Sequence, residues 1–215
     1  MKRLFFVLCG VVLFLVKAGL GGEGLVFDFE SPSVLRDFRA YQTAGRGRPA
    51  LWEVRSGEAY HGRGYVLVLP DPRTNRGSCF NVLLLEGKRF RDVEVAVAVR
   101  PFKGREDQGG GPVWRALDAD NYYVVRWNPL EDNFRLYYVK DGRRRMLTSA
   151  GLKADPSRWH LIRVVHRGEE IRAYFDGKLY LRYRDRTFTA AGRVGLWTKA
   201  DAATAFDLLK VREIR

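Results

Sequence analysis

The chain has 215 residues, a formal net charge of +13 and two cysteines. That length can bury a substantial core without cross-links, and two cysteines exclude a disulfide-stapled scaffold. The positive balance favours anionic partners such as polysaccharide, lipid headgroups or nucleic acid, although basic residues scattered along the chain also suit a plain solvated surface.

Lys2 and Arg3 precede an apolar run from Leu4 to Val16, and small residues follow in Val16-Lys17-Ala18 and Gly19-Leu20-Gly21. This is the pattern of a secretory signal over residues 1–21, leaving 22–215 as a single domain. The run is short for a membrane span, with an uncleaved anchor as the alternative. Cys9 lies inside the run rather than at its end, which argues against a lipoprotein. Cleavage would remove three basic residues and no acidic one, taking the net charge from +13 to +10. The expected destination is periplasmic or extracellular. Nucleic acid is then not an expected partner, and no membrane span remains. Cys79, the one cysteine left, sits between Ser78 and Phe80 and reads as a small core residue.

Downstream, strand-like runs recur between turn signals. They are Leu25–Phe29, Tyr65–Leu69, Phe80–Leu85, Val93–Arg100, Val113–Ala116, Tyr122–Trp127, Phe134–Val139, His160–His166, Ile171–Asp176, Leu179–Tyr183, Val194–Thr198 and Ala205–Val211. Ser31–Phe38 offers one helical turn. Lys140-Asp141-Gly142, Arg167-Gly168-Glu169 and Asp176-Gly177 fall where hairpins need turns, since Gly accepts positive φ at little cost. Many short strands with period-two alternation predict an all-β, two-sheet antiparallel sandwich. Val93/Val95/Val97/Val99, Phe134/Leu136/Tyr138, Ile162/Val164 and Ile171/Ala173/Phe175 are the expected core faces. His160 and His166 share parity with Ile162 and Val164 and read as packed, hydrogen-bonded histidines.

The densest chemistry lies between Asp107 and Arg145. Trp114, Arg115, Asn121, Tyr122, Tyr123, Arg126, Trp127, Asn128, Asn133, Arg135 and Tyr137 crowd this span. A sugar offers C–H faces to stack on aromatic rings and hydroxyls to bond amides and guanidinium groups. Arg126 and Asn128 share one face of their strand, as do Arg135 and Tyr137 on theirs. Such faces form a binding surface or simply meet solvent. Gly109-Gly110-Gly111 is no phosphate loop, because no Lys-Ser/Thr follows and no helix opens. It permits close approach to a ligand or a neighbouring strand.

The order D-x-G-G-G-x-V-W-R-A-x-D-A-D-N-Y-Y-V-V-R, N-P-L-E-D-N-F-R-L-Y, D-G-R-R-R, P-x-x-W-H-x-I-R-V and G-x-V-G-L-W-T-K-A-D-A-x-T-x-F-D resembles exported bacterial concanavalin A-like (laminin-G-like) jelly rolls. These are grouped with the 3-keto-disaccharide hydrolase domain, or called glycoside hydrolase family 16-like. The resemblance spans Leu25 to Val211. It implies a jelly roll with a carbohydrate-handling concave face. Its motif positions fall on Asp107, Trp114, Arg115, Asp120, Asn121, Tyr123, Arg126, Glu131, Asn133, Arg135, Trp197, Lys199 and Asp201. The expected sugar contacts are Trp114, Arg115, Asn121, Tyr123, Asn128, Asn133, Arg135, Tyr137, Trp197 and Lys199.

Catalysis by family 16 enzymes uses E-x-D-x-x-E, in which alternate positions share a strand face. Asp92-Val93-Glu94 supplies two acids at that spacing but no third. If the chain is an enzyme, Asp107, Glu131 and Asp201 are the acid/base candidates, and Arg126 would stabilise negative charge on oxygen. Asp118 and Asp120 read as turn caps. No zinc pattern appears. Asp28, Glu30 and Asp207 lie on the terminal strands, which pair in a jelly roll, so a structural calcium is a candidate cofactor; an acidic strand edge is the alternative. The leading expectation is an exported carbohydrate-binding domain whose oligo- or polysaccharide partner includes anionic ones. The alternatives are a hydrolase or lyase acting on a glycoside or 3-keto-glycoside, and a structural or adhesion domain.

Overall fold

The computed structural model describes residues 24–43, 48–62, 64–72, 77 and 79–214. The expected leader, residues 1–21, lies outside them. The strands among the described residues are β1 (Gly24–Phe27), β2 (Phe38–Thr43), β3 (Glu53–Ser56), β4 (Tyr65–Leu69), β5 (Phe80–Leu85), β6 (Val93–Lys103), β7 (Gly111–Ala116) and β8 (Tyr122–Asn128). They continue with β9 (Asn133–Lys140), β10 (Arg143–Gly151), β11 (His160–Arg167), β12 (Glu170–Phe175), β13 (Lys178–Arg184), β14 (Arg193–Lys199) and β15 (Ala203–Glu213). A 3₁₀ turn at Pro32–Asp37 fills the predicted helical stretch, with the Ser31 hydroxyl accepting from the Ser33 N–H.

These strands form two antiparallel sheets. The first runs β13-β12-β11-β6-β15-β4-β3, with β1 added along the far half of β15; the second runs β10-β9-β8-β7-β14-β5-β2. The fold is the all-β sandwich that the alternation predicted, with the jelly-roll form that the resemblance implied. β2, β3 and β10 were not expected. β2, β3 and β10 are edge strands, and β10 reads RRRMLTSAG with exposed and partly buried positions interspersed. An edge strand rich in basic residues carries no inside-out alternation, so its sequence does not announce it.

The hairpin turns form as the Asp-Gly signals required. Asp141 and Gly142 both have positive φ (52° and 72°), as do Asp176 and Gly177 (48° and 83°). That backbone matches the twist of paired strands.

The core lies between the sheets. Val93, Val95, Val97, Val99, Ile162, Val164, Ile171, Ala173 and Phe175 line it from the first sheet, as predicted, and Phe134 and Leu136 from the second. Tyr138 is partly buried against it. Cys79 is a partly buried free thiol rather than a fully packed core residue.

The glycine run approaches neighbouring strands. A Cβ on Gly111 would lie 2.1 Å from the Val125 carbonyl oxygen, one on Gly110 2.3 Å from that of Trp197, and one on Gly109 2.2 Å from that of Trp127. Backbone cannot yield there as a flexible side chain would. Gly111→Ala should therefore lower stability by about 1–3 kcal/mol, the usual cost of overpacking, measured by urea denaturation.

The buried His166 ring accepts a hydrogen bond at Nδ1 from Trp114 Nε1, 2.9 Å away. Burial, reinforced by the Arg115 charge, lowers its pKa from 6.5 to about 3. Between those values the unfolded chain binds a proton that the folded protein does not, so stability falls as pH drops through this window. Urea midpoints should fall between about pH 6.5 and about pH 4, and less steeply in His166→Gln. An equal slope in both proteins refutes this assignment.

Candidate functional site

Strand parity splits the Asp107–Arg145 residues between two faces of the second sheet. Trp114 and Tyr123 point into the core, stacked at 5.8 Å between centroids. Trp114 bonds His166, and the Tyr123 hydroxyl bonds Asp185 and accepts the Phe188 N–H. These two expected sugar contacts are thus interior packing residues. Arg115 is corrected in the same way. Its guanidinium ties down the carbonyls of Arg91, Phe188 and Gly168 and the Asp92 carboxylate. Asn121 belongs to a turn, donating to Asp118 and accepting the Asp141 N–H. Asp118 also accepts the Asp120 N–H, the turn role expected of it.

Trp127 also points into the core, and the outer face of the second sheet carries Tyr122, Arg126, Asn128, Asn133, Arg135 and Tyr137. Cross-strand pairs Tyr122↔Val139, Val124↔Tyr137, Arg126↔Arg135 and Asn128↔Asn133 run from an apolar half to a polar half. The apolar half includes Phe80, Val82, Val113, Val124 and Trp197. Trp197 is buried, and its indole N–H donates to the Tyr122 hydroxyl.

Two arginines directly opposite each other repel unless counter-charges intervene. Here two carboxylates do so. Arg126 donates to Asp107 at 2.5 Å and to Glu131 at 3.0 Å, while Arg135 donates to Glu131 at 2.8 Å. Lys199 Nζ reaches the other Asp107 oxygen at 3.0 Å, and Asn128 and Asn133 donate to Asp107 and Glu131 respectively. Glu131 comes from the β8–β9 turn, which Asn128 closes by accepting the Leu130 N–H. The network thus joins Asp107, Arg126, Asn128, Glu131, Asn133, Arg135 and Lys199. Arg126 and Asp107 are both 1 % exposed, while Glu131 is 42 % exposed at its side chain.

Burial opposes charge on Arg126, but Asp107, Tyr137 and Glu131 outweigh it and raise its pKa. Burial likewise opposes charge on Glu131, yet the Asn133 hydrogen bond and the Arg126, Arg135 and Lys199 charges hold its carboxyl below the ordinary range. Glu131 is therefore ionised near neutral pH, suited to accept hydrogen bonds or a proton rather than to donate one. Asp201 sits apart. It accepts the N–H groups of Arg105, Glu106 and Asp107 and so holds the loop that presents Asp107.

The calcium expectation does not fit the donors. Asp28 accepts the Glu30 N–H, and Asp207 spends its oxygens on the N–H groups of Tyr60, His61 and Leu208. Among the described residues, no three His, Cys, Asp or Glu side chains gather as metal ligands. The terminal strands do pair, Gly24 with Arg212 and Phe27 with Leu209. Asp28 and Glu30 lie just beyond that ladder.

Arg144 also belongs to this outer face, which the sequence reading missed. It pairs with Val139, so it stands on the outer face, and its guanidinium lies over Tyr137, Phe80 and Trp197. Its signal was the Arg143-Arg144-Arg145 run, which reads as a solvated turn unless β10 is known.

No protein-family profile matches the chain, and no curated protein sequence does. Solved structures do resemble it. A Bacillus subtilis protein of unknown function with a galectin-like fold superposes with a TM-score of 0.63 at 12% identity, over 91% of this chain and 98% of that one. The carbohydrate-binding module CBM66 from Bacillus subtilis gives 0.59 at 18% identity, over 74% and 94%. Domain 4 of AbnA, a GH43 extracellular arabinanase from Geobacillus stearothermophilus in complex with arabinotriose, gives 0.53 at 13% identity, over 91% and 84%. The shared feature is the galectin-like jelly roll.

Asp107 is the keystone of the polar network. Asp107→Asn should destabilise the protein by about 3–5 kcal/mol, because Arg126 would be left buried beside a neutral partner. Pairing it with Arg126→Met should recover part of that loss, as read from chemical denaturation of the two single variants and the double variant.

Proposed function

We propose that the outer face of the second sheet binds carbohydrate. The observation that carries this is the ladder of paired amides and guanidinium groups, Asn128↔Asn133 and Arg126↔Arg135, held rigid by two carboxylates beside an aromatic half-face. Fixed donors and acceptors at Glu131, Arg135 and Lys199 match the hydroxyls of a sugar. Glu131, Arg135 and Lys199 are the network members open to solvent, so they make the first contacts. The jelly roll shared with a carbohydrate-binding module and with an arabinanase domain solved with arabinotriose supports the reading.

No helix among the described residues is long and apolar enough to cross a membrane. We read residues 1–21 as an export signal, which would take the domain to the periplasm or the exterior, where polysaccharide is available.

The alternative, a 3-keto-disaccharide hydrolase-type enzyme, rests on the motif resemblance and on the solvent-open, ionised Glu131 beside Arg126. Asp201 has no free part in it, since three backbone N–H groups occupy its carboxylate.

A glycan array and affinity electrophoresis in soluble polysaccharides separate these readings. Wild type should bind a saccharide, and Arg135→Ala should weaken that binding by about tenfold, the value of a charge-assisted hydrogen bond, with the melting temperature little changed. Sugar release that Glu131→Gln abolishes would establish the enzyme instead. Binding to no saccharide leaves the structural or adhesion role.

A further inference from the structure

The cations of the outer face are not equally neutralised. Arg126 and Lys199 share Asp107, Arg126 and Arg135 share Glu131, and Arg193 pairs with Glu86 at 2.6 Å. Arg144 has no carboxylate partner among the described residues, and its Nη1 is buried without a hydrogen-bond acceptor. Its guanidinium carbon lies 4.4 Å from the Tyr137 ring centroid, 5.2 Å from that of Phe80 and 5.8 Å from that of Trp197. The rings attract the cation, but they do not accept the directional hydrogen bonds that its N–H groups can make. Burial lowers the Arg144 pKa, and the nearby Arg126 charge adds to that, against weaker support from Tyr137 and Asp107. Arg126 Nε is a second buried donor with no acceptor.

A partly desolvated guanidinium that lacks a counter-ion is costly to maintain. Its surroundings make it a fixed receptor for a planar anion. The fork of a guanidinium matches the two oxygens of a carboxylate. A neutral sugar hydroxyl would satisfy one donor and leave the charge uncompensated.

We propose that Arg144 receives a carboxylate carried by the saccharide, so that this face selects uronate-containing oligosaccharides over neutral ones. The proposal rests on the carbohydrate-binding reading of the same face. It uses an edge strand, β10, that only the tertiary structure brings beside Trp197.

The test is an array of oligosaccharides containing galacturonate, glucuronate or mannuronate, each beside its methyl ester, followed by calorimetry on the hits at about 0.15 M ionic strength. Wild type should bind one acidic oligosaccharide at least about tenfold more tightly than its ester. Arg144→Gln should erase that preference, read as the ratio of acid to ester affinity within the same variant, and Arg144→Lys should restore only part of it. Thermal melting of both variants near the wild-type temperature shows that the fold is intact. Polyglutamate, an anionic chain without sugar, should bind weakly and independently of Arg144. Equal affinity for acid and ester, or a preference that survives in Arg144→Gln, overturns this inference while the sugar-binding reading stands. Binding to none of the saccharides overturns both.

Discussion

The Arg126–Asp107 ion pair is the constraint around which the outer face of the second sheet is arranged. Both side chains are almost wholly buried, and their contact is 2.5 Å. Desolvating two charges is repaid by close contact and by further hydrogen bonds, and here all but Arg126 Nε are supplied. Asn128 and Lys199 take up the Asp107 oxygens, and Glu131 takes the far side of Arg126. Glu131 in turn neutralises Arg135, which stands opposite Arg126 in the ladder. One buried pair therefore fixes these neighbouring side chains, of which Glu131, Arg135 and Lys199 reach solvent.

That rigidity depends on backbone devices some distance along the chain. Asp107 sits on a loop that Asp201 grips through three consecutive N–H groups. Gly109, Gly110 and Gly111 then let the entry to β7 press against the carbonyls of β8 and β14. Any side chain there would collide with those carbonyls. The residues that carry the motif resemblance thus divide into those on the outer face and those that hold them in register.

The aromatic residues divide likewise, by strand parity. Trp114, Tyr123 and Trp127 alternate inward and build the inter-sheet core, while Tyr122, Tyr137 and Trp197 alternate outward. A one-residue bulge is enough to exchange such sets. β7 contains an irregularity where it pairs with β14, and Arg115 there has a positive φ of 46°. Its guanidinium is consequently turned to tie together the Arg91, Gly168 and Phe188 carbonyls instead of joining the polar ladder.

Much was legible in the sequence by itself: the all-β sandwich, most of its strands, its hairpin turns and the core faces of β6, β9, β11 and β12. Those features follow from local rules, namely period-two burial, positive φ at Asp-Gly and the restriction of glycine to tight approaches. The grouping of Asp107, Arg126, Asn128, Glu131, Asn133, Arg135 and Lys199 was also visible as a list of candidates. Only the tertiary structure decided which candidates share a face. It withdrew Trp114, Arg115, Tyr123 and Asn121 from that face, engaged the Asp207 carboxylate with backbone N–H groups, and added Arg144 from an unforeseen edge strand. The reason is that a side chain's direction depends on bulges and on strand neighbours far away in the chain. Neither has a signature in the residues that happen to lie next to it.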